Sequence, residues 1–197
     1  MELTEVIKRR RMARNYLDKP VAMDTLERIV ATGRRGPSAG FTQGVYFVVV
    51  TEADTRAAIA KLADEDHYVA EEGLPPWISS APAHVVVCVS EADYHARYLE
   101  PDKINDDGSE IDWPIPYWWV DGGAALMLLL LAVVDEGLAA GFFGVHRLGG
   151  LQELLGIPED VSPIGVVTIG HAAPDQPGSS ARRGWRPLDD VVRWERW

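Results

Sequence analysis

Residues 122–134 form an almost wholly apolar run, with Leu128, Leu129, Leu130 and Leu131 in succession, closed by Asp121 on one side and by Asp135 and Glu136 on the other. A membrane-spanning helix needs roughly 20 apolar residues, so this run is too short to cross a bilayer. A helix that is apolar all round in a soluble protein must be covered on every side. The run therefore predicts a central core helix, or one buried between subunits. With 197 residues, 47% of them hydrophobic, the chain has material for one sizeable core. A single domain over residues 1–197 is expected.

The remaining elements follow from periodicity and punctuation. Leu3, Val6 and Ile7 recur at helical spacing and predict a first helix that runs into a group of cations. Asp24 and Glu27 have capping-box spacing around the stripe Leu26, Ile29 and Val30, which predicts a second helix ended by Gly33 and Gly36-Pro37. Residues 45–51 read as a buried strand, and Thr51 and Asp54 as the opening of an alanine-rich helix. Further strands are expected over 84–90 and 164–170, the latter after a short helix that ends at Leu155-Gly156. Residues 91–116 read as irregular, and 174–180 as an extended connector. Helices and strands mix without regular βαβ alternation, so an α+β fold is favoured over a doubly wound sheet.

Several function classes are excluded by composition. Glu2, Glu5 and the early arginines interrupt any secretory signal, so secretion is not expected. The single cysteine, Cys88, lies in the apolar run 85–89 and predicts a buried structural thiol, which suits a reducing cytoplasm. His67, His84, His95, His146 and His171 are scattered without ligand spacing, so no metal site is expected.

Lys8, Arg9, Arg10, Arg11 and Arg14 open a chain of formal net charge -11, and Arg182, Arg183 and Arg186 answer them near the other end. Binding to nucleic acid would have to overcome the acidic remainder of the surface, whereas a small anion would not. The expected ligand is a phosphate group gripped by two distant basic segments. The first segment lies at the C-terminal end of a helix, so side-chain charge must do the gripping. Tyr16 and Leu17 are expected to anchor that segment in the core.

Two glycine-rich segments accompany the cations. Residues 36–44 form a small-residue loop that lets backbone amides approach a flat or anionic ligand. Residues 137–145 end the apolar helix and turn into a short extended segment. Neither the dinucleotide fingerprint nor a phosphate-binding loop is present. Trp113, Tyr117, Trp118 and Trp119 offer either a lid over a flat acceptor or the packing of a long loop, with Trp113 as the lid residue.

Taken in order, these segments resemble the flavin-dependent nitroreductase family over nearly the whole chain. Arg10-Arg11-Met12-Ala13-Arg14-Asn15-Tyr16 resembles the family's Arg-Arg-Ser-Val-Arg-x-Phe motif, whose basic residues bind FMN. Pro37-Ser38-Ala39-Gly40-Phe41-Thr42-Gln43 is similar to its Pro-Ser-Ala-x-Asn-x-Gln loop along the flavin ring. Residues 122–144 resemble its long interface helix and the turn whose backbone meets the reactive edge of the flavin. Leu154-Leu155-Gly156-Ile157-Pro158-Glu159 and the strand up to Gly170 match its later core.

The resemblance implies a mixed, mainly antiparallel sheet flanked by helices, with a long central interface helix and an extended C-terminal segment. It implies FMN held by Arg10, Arg11, Met12, Arg14, Pro37, Ser38, Ala39, Gln43, Phe143, Gly144, Arg183 and Arg186, and the aromatic residues Phe41, Trp113 and Tyr117 are the expected substrate lid or wall. It also implies a homodimer with FMN at the interface, while the composition argues for the cytoplasm and against a nucleic-acid or membrane partner. NAD(P)H would reduce a nitroaromatic, a quinone or a related electron-poor acceptor in a ping-pong scheme at the flavin, without a catalytic side chain. The chain departs from the family in three places. Met12 stands for the phosphate-binding serine, Phe41 for the asparagine, and Gly44-Val45 for Pro-Trp. These departures keep specialised flavin chemistry on a cofactor or metabolite, or a non-catalytic flavin-sensing module, as alternatives.

Overall fold

Valine-rich residues 83–90 build the strand on which the other elements rest. The computed structural model describes residues 1–73, 75–175 and 183–197. Its helices are α1 (Leu3–Arg9), α2 (Met23–Gly33), α3 (Ala53–Leu62), α4 (Glu65–Glu72), α5 (Glu91–Tyr98), α6 (Tyr117–Asp135), α7 (Leu151–Leu155) and α8 (Leu188–Val191). The strands β1 (Val45–Val50), β2 (Ala83–Ser90), β3 (Ala139–Gly144) and β4 (Val161–Gly170) form a four-stranded sheet in the order β1-β2-β4-β3. All neighbours are antiparallel. The fold is α+β, as expected.

β2 is buried at every position, which requires cover on both faces of the sheet. Alternation along the strand divides it between two cores. Val86 and Cys88 join Tyr16, Ile59, Trp77 and Leu151 on one face. Val85 and Val87 join Leu26, Ile29, Leu129 and Val133, from α2 and α6, on the other. Burial pushes the Cys88 thiol up to about 11, so it stays protonated and acts as a small apolar group. The strand expected to be buried over 45–51 is an edge strand, with no strand beyond it among the described residues, and Tyr46 and Val49 are exposed.

The N-terminal segment is stitched onto the other edge. Met12 forms a parallel bridge with Ala140, Ala13 N–H donates to Ala140 O at 2.8 Å, and Tyr16 bridges Ala172. Gly141 permits this approach, since a Cβ there would lie 2.6 Å from Ala13 O. Tyr16 anchors the segment, with its hydroxyl 2.7 Å from Thr168 Oγ1. Leu17 does not, because its side chain is 47% exposed.

Other sequence expectations shift for local reasons. Asp24 lies inside the first turn of α2, where its carboxylate meets Thr25 N–H and Arg28, and Ala22 is the N-cap without a side-chain bond. Glu52, rather than Thr51, precedes α3. The stretch read as irregular begins with α5, which Ser90 caps by accepting from Asp93 N–H at 3.2 Å.

α6 exceeds its apolar run because Tyr117, Trp118 and Trp119 supply an extra turn. At 19 residues and a mean hydropathy of 1.8 it is long and apolar enough to cross a membrane by length and composition. Yet Leu129, Leu130 and Val133 pack in the core against the sheet. Only half of its apolar window is buried, and Trp119, Val120 and Met127 remain exposed. A single chain therefore does not cover this helix on every side.

Candidate functional site

Two cavities collect part of the predicted site. The first, of about 570 Å³, is lined by Arg34, Arg35, Pro37, Ser38, Phe41 and Gln43, with Ala125 of α6 in its wall. The second, of about 440 Å³, is lined by Arg14, Tyr68, Trp77, Phe143, Gly144 and His146, among others. No residue lines both. The predicted cofactor set is therefore split on one chain, with the 37–43 loop at one cavity and Arg14 with the end of β3 at the other.

The loop at the first cavity is a fixed, strained turn. Gly40 (φ 61°), Phe41 (φ 56°) and Gln43 (φ 60°) are all left-handed. For the non-glycine residues this costs on the order of 1–3 kcal/mol each, and it persists only where the surroundings over-determine it. The surroundings do so here. Ser38 Oγ accepts from Gln43 N–H at 2.7 Å, Thr42 Oγ1 donates to Ala39 O at 2.6 Å, and Arg97 Nε donates to Gly40 O at 2.9 Å. Ala39 N–H donates to Asp121 Oδ2 at 2.8 Å. Glycine is required at position 40 on steric grounds too, since a Cβ would lie 2.8 Å from the Tyr98 ring. The outcome is a rigid loop that leaves Phe41 75% exposed.

The second cavity is built from the edge of the sheet. β3 pairs with β4 on one side only, and beyond Ala140 its outer edge has no strand partner among the described residues. Backbone groups near Phe143 and Gly144 are thus available to a ligand. The Trp77 and Phe143 rings pack edge to face with centroids 5.5 Å apart, making an apolar wall. Arg14 reaches this cavity because its own N–H is held by Asp175 at 2.7 Å. Among the described residues, the side chains of Arg10, Arg11, Arg14, Arg34 and Arg35 make no ion pair, whereas Arg9 is taken by Glu5.

The other predicted residues are placed elsewhere. Met12, half-buried, packs its side chain against the core that holds Leu26 and Val167, and it offers no polar side-chain group to a ligand. Arg10 and Arg11 follow α1 outside both cavity walls. Arg183 and Arg186 are exposed in the C-terminal segment, where Arg186 donates to Asp190 O at 3.2 Å. Arg182 lies outside the described residues. Trp113 sits in an aromatic cluster, 4.6 Å from Tyr98 and 5.6 Å from Trp118 by ring centroids, and donates Nε1–H to Glu110. Neither Trp113 nor Tyr117 lines either of these two cavities.

Sequence reasoning overlooked Arg34, Arg35, Tyr68, Trp77 and His146 as lining residues. The Arg34-Arg35 pair beside Gly36-Pro37 was a readable signal. Tyr68 and Trp77 carried none, because they reach the site through α4 and the chain that follows it. Asp121 was read only as the boundary of the apolar run. It is buried, and Tyr94 O–H donates to its Oδ2 at 2.7 Å. Burial, with the Asp121 carboxylate beside it, raises the Tyr94 phenol pKa, so Tyr94 acts as a neutral donor.

The sequence profile described as the Nitroreductase family matches residues 7–171. A protein of Methanothermobacter thermautotrophicus named putative NADH dehydrogenase/NAD(P)H nitroreductase is 30% identical, with 100% of this chain and 88% of that protein covered. A Bacillus subtilis protein named FMN reductase (NAD(P)H) is 31% identical, with 87% and 67% covered. The solved structure of NfrA1 from B. megaterium shares the fold at a TM-score of 0.77 and 21% identity, covering 100% of this chain and 75% of that one.

Proposed function

Because the chain belongs to the nitroreductase family, we propose that it is an FMN-dependent, NAD(P)H-consuming oxidoreductase of one domain, residues 1–197, that works as a homodimer. Its second substrate is a nitroaromatic, a quinone or a related electron-poor acceptor, reduced in a ping-pong scheme in the cytoplasm. Similarity to proteins named for NAD(P)H and FMN supports the donor and the cofactor.

The observation that carries the reading is the division of the cofactor residues between separate cavities. A flat ring needs both the 37–43 loop and the end of β3, so the loop of one copy must meet the β3 edge of the other. The exposed Trp119, Val120 and Met127 on α6 give the contact an apolar surface, as a twofold interface requires. The C-terminal segment points the same way. Among the described residues, its hydrogen bonds stay within the segment, while Trp185 and Trp197 are almost fully exposed. A second copy supplies what they cover.

The residues present fit FMN. Arginines without acidic partners suit its phosphate, the open edge of β3 suits the polar edge of its ring, and the rigid loop suits its face. When bound, FMN supplies the redox chemistry, taking hydride from the nicotinamide and passing electrons on. Arg10, Arg11 and Arg14 hold the phosphate by charge, joined by Arg183 or Arg186, with the Met12 backbone in place of the family's serine hydroxyl. Backbone groups at Phe143 and Gly144 fix the ring edge. Pro37, Ser38, Ala39 and Gln43 line its face, and the exposed Phe41 forms a wall for a flat acceptor. Trp77 and Phe143 give the second cavity an apolar wall against which a flat ring can pack.

The test is the visible spectrum of purified protein mixed with FMN, followed by anaerobic addition of NADH or NADPH. Flavin absorbance retained on the protein and bleached by a nicotinamide is the expected result. A protein that takes up no FMN overturns the reading. Bound flavin that no nicotinamide bleaches moves it to a sensing module.

A further inference from the structure

Asp121 is a carboxylate inside the most apolar helix of the chain. It is 3% exposed. Burying such a group is unfavourable unless donors meet it. The donors are Ala39 N–H, from the loop, and Tyr94 O–H, from α5, and both land on Oδ2. One oxygen thereby ties α5, α6 and the loop together. One helical turn further along α6, the backbone of Ala125 supports the start of the same loop, so close that a Cβ on Gly36 would lie 3.2 Å from Ala125 N. From α5, Arg97 reaches Gly40 O while Asp102 and Glu100 hold its remaining guanidinium nitrogens.

We propose that Asp121 is the positioning residue of the cofactor-lining loop, with Arg97 as its second support. This rests on the FMN reading above. The bonds from Gln43 N–H to Ser38 and from Thr42 to Ala39 close the turn upon itself, but they do not attach it to the body. Asp121 and Arg97 attach its middle to α6 and α5, beside the Tyr94 contact to Ser38 and the bond from Ser90 N–H to Gly44 O at its end. Phe41 and Gln43 occupy left-handed backbone that relaxes when the loop is released. A released loop must be reordered each time the cofactor binds, which weakens binding without removing any group that touches the ligand.

Because both hydrogen bonds converge on one oxygen, an asparagine can reproduce them with its amide oxygen, which has two lone pairs, whereas leucine cannot. Asp121→Asn and Asp121→Leu are compared by FMN titration, followed through flavin fluorescence, and by amide hydrogen exchange at Ala39 in the FMN-free protein. Asp121→Asn should bind FMN within about 3-fold of wild type, and Asp121→Leu should bind it at least ~10-fold more weakly. Exchange at Ala39 should quicken only in the leucine variant.

A folded Asp121→Leu protein with wild-type affinity and wild-type exchange overturns the proposal. Equal weakening in both variants also overturns it, because charge rather than geometry would then be the cause. If Asp121→Leu does not fold, Arg97→Met, which empties no buried site, should still loosen the loop and weaken FMN, and an unchanged affinity there overturns the proposal. Wild-type protein that binds no FMN overturns the cofactor reading instead, and Ala39 exchange then decides the anchoring by itself.

Discussion

Arg14 shows how a single residue is made specific. Its backbone is fixed by Asp175 on one side, and by Ala13 against β3 on the other, so the guanidinium is presented to the second cavity from a rigid base. Replacing Arg14 by alanine should weaken FMN binding roughly 10- to 100-fold, the loss of one charge-assisted contact, while leaving the unfolding midpoint nearly unchanged. Fluorescence titration and thermal unfolding of the same preparation check both parts.

His95 gives a prediction in pH. The Glu110 carboxylate, 2.9 Å from Nδ1, is the main cause that raises its pKa above the ordinary 6.5, and Glu91 adds to it. A raised folded value means that the contribution to stability is fully present below pH 6.5 and is lost as pH rises through the folded value above it. Wild type should therefore lose stability over that window relative to His95→Gln, whose profile should be flatter. The ring is partly exposed, so the difference is small, and urea unfolding at several pH values measures it.

Among the elements, α6 carries the most consequence. That it would be a core helix was legible from its apolar run, but the face that packs on the sheet, with Leu129 and Val133 buried, was not, because the run is apolar all round. Its extra turn was not, because Trp118 and Trp119 follow Pro116 and read as loop. Placing charge on the uncovered face, as in Val120→Glu with Met127→Lys, should convert a dimer to monomer without unfolding the chain. Sedimentation velocity and circular dichroism test this. FMN binding should fall with the dimer if two copies share the site. α5 was missed for a different reason. Only Tyr94 of its residues is buried, so no apolar stripe marks it, and its start signals are the Ser90 cap and the acidic first turn of Glu91 and Asp93. Yet this helix holds the 37–43 loop, through Tyr94 by way of Asp121, through Arg97 on Gly40 O and through the Tyr98 ring against Gly40. A helix can be stabilised by what it grips as well as by what it buries.

At the scale of the whole molecule, binding and stability are linked. A cofactor that binds only the folded dimer should stabilise it by about 2.7 kcal/mol at a free concentration 100 times its Kd. Excess FMN should therefore raise Tm, and the effect should grow with protein concentration if dimerisation is coupled to it. A differential scan with and without FMN, at two protein concentrations, measures both. An unchanged Tm would separate the cofactor from folding.

Certain features of this chain were determined by sequence because they depend on neighbours along the backbone. The stripe of α2, the apolar run of α6, the valine-rich strand, the position of the cations at the end of α1 and the glycine-rich loop all follow from local spacing and side-chain volume. The order of the motifs was enough to identify the family. Other features depend on which elements meet, and no local pattern encodes that. The sheet order made 45–50 an edge, and tertiary packing turned Met12 toward the core and left Arg14 facing a cavity. Packing also gave Asp121 its partners from distant parts of the chain, and so changed an apparent end marker of an apolar run into the anchor of a loop. The physical reason is that a buried charge takes its meaning from the donors around it, and those donors are gathered only when the chain folds.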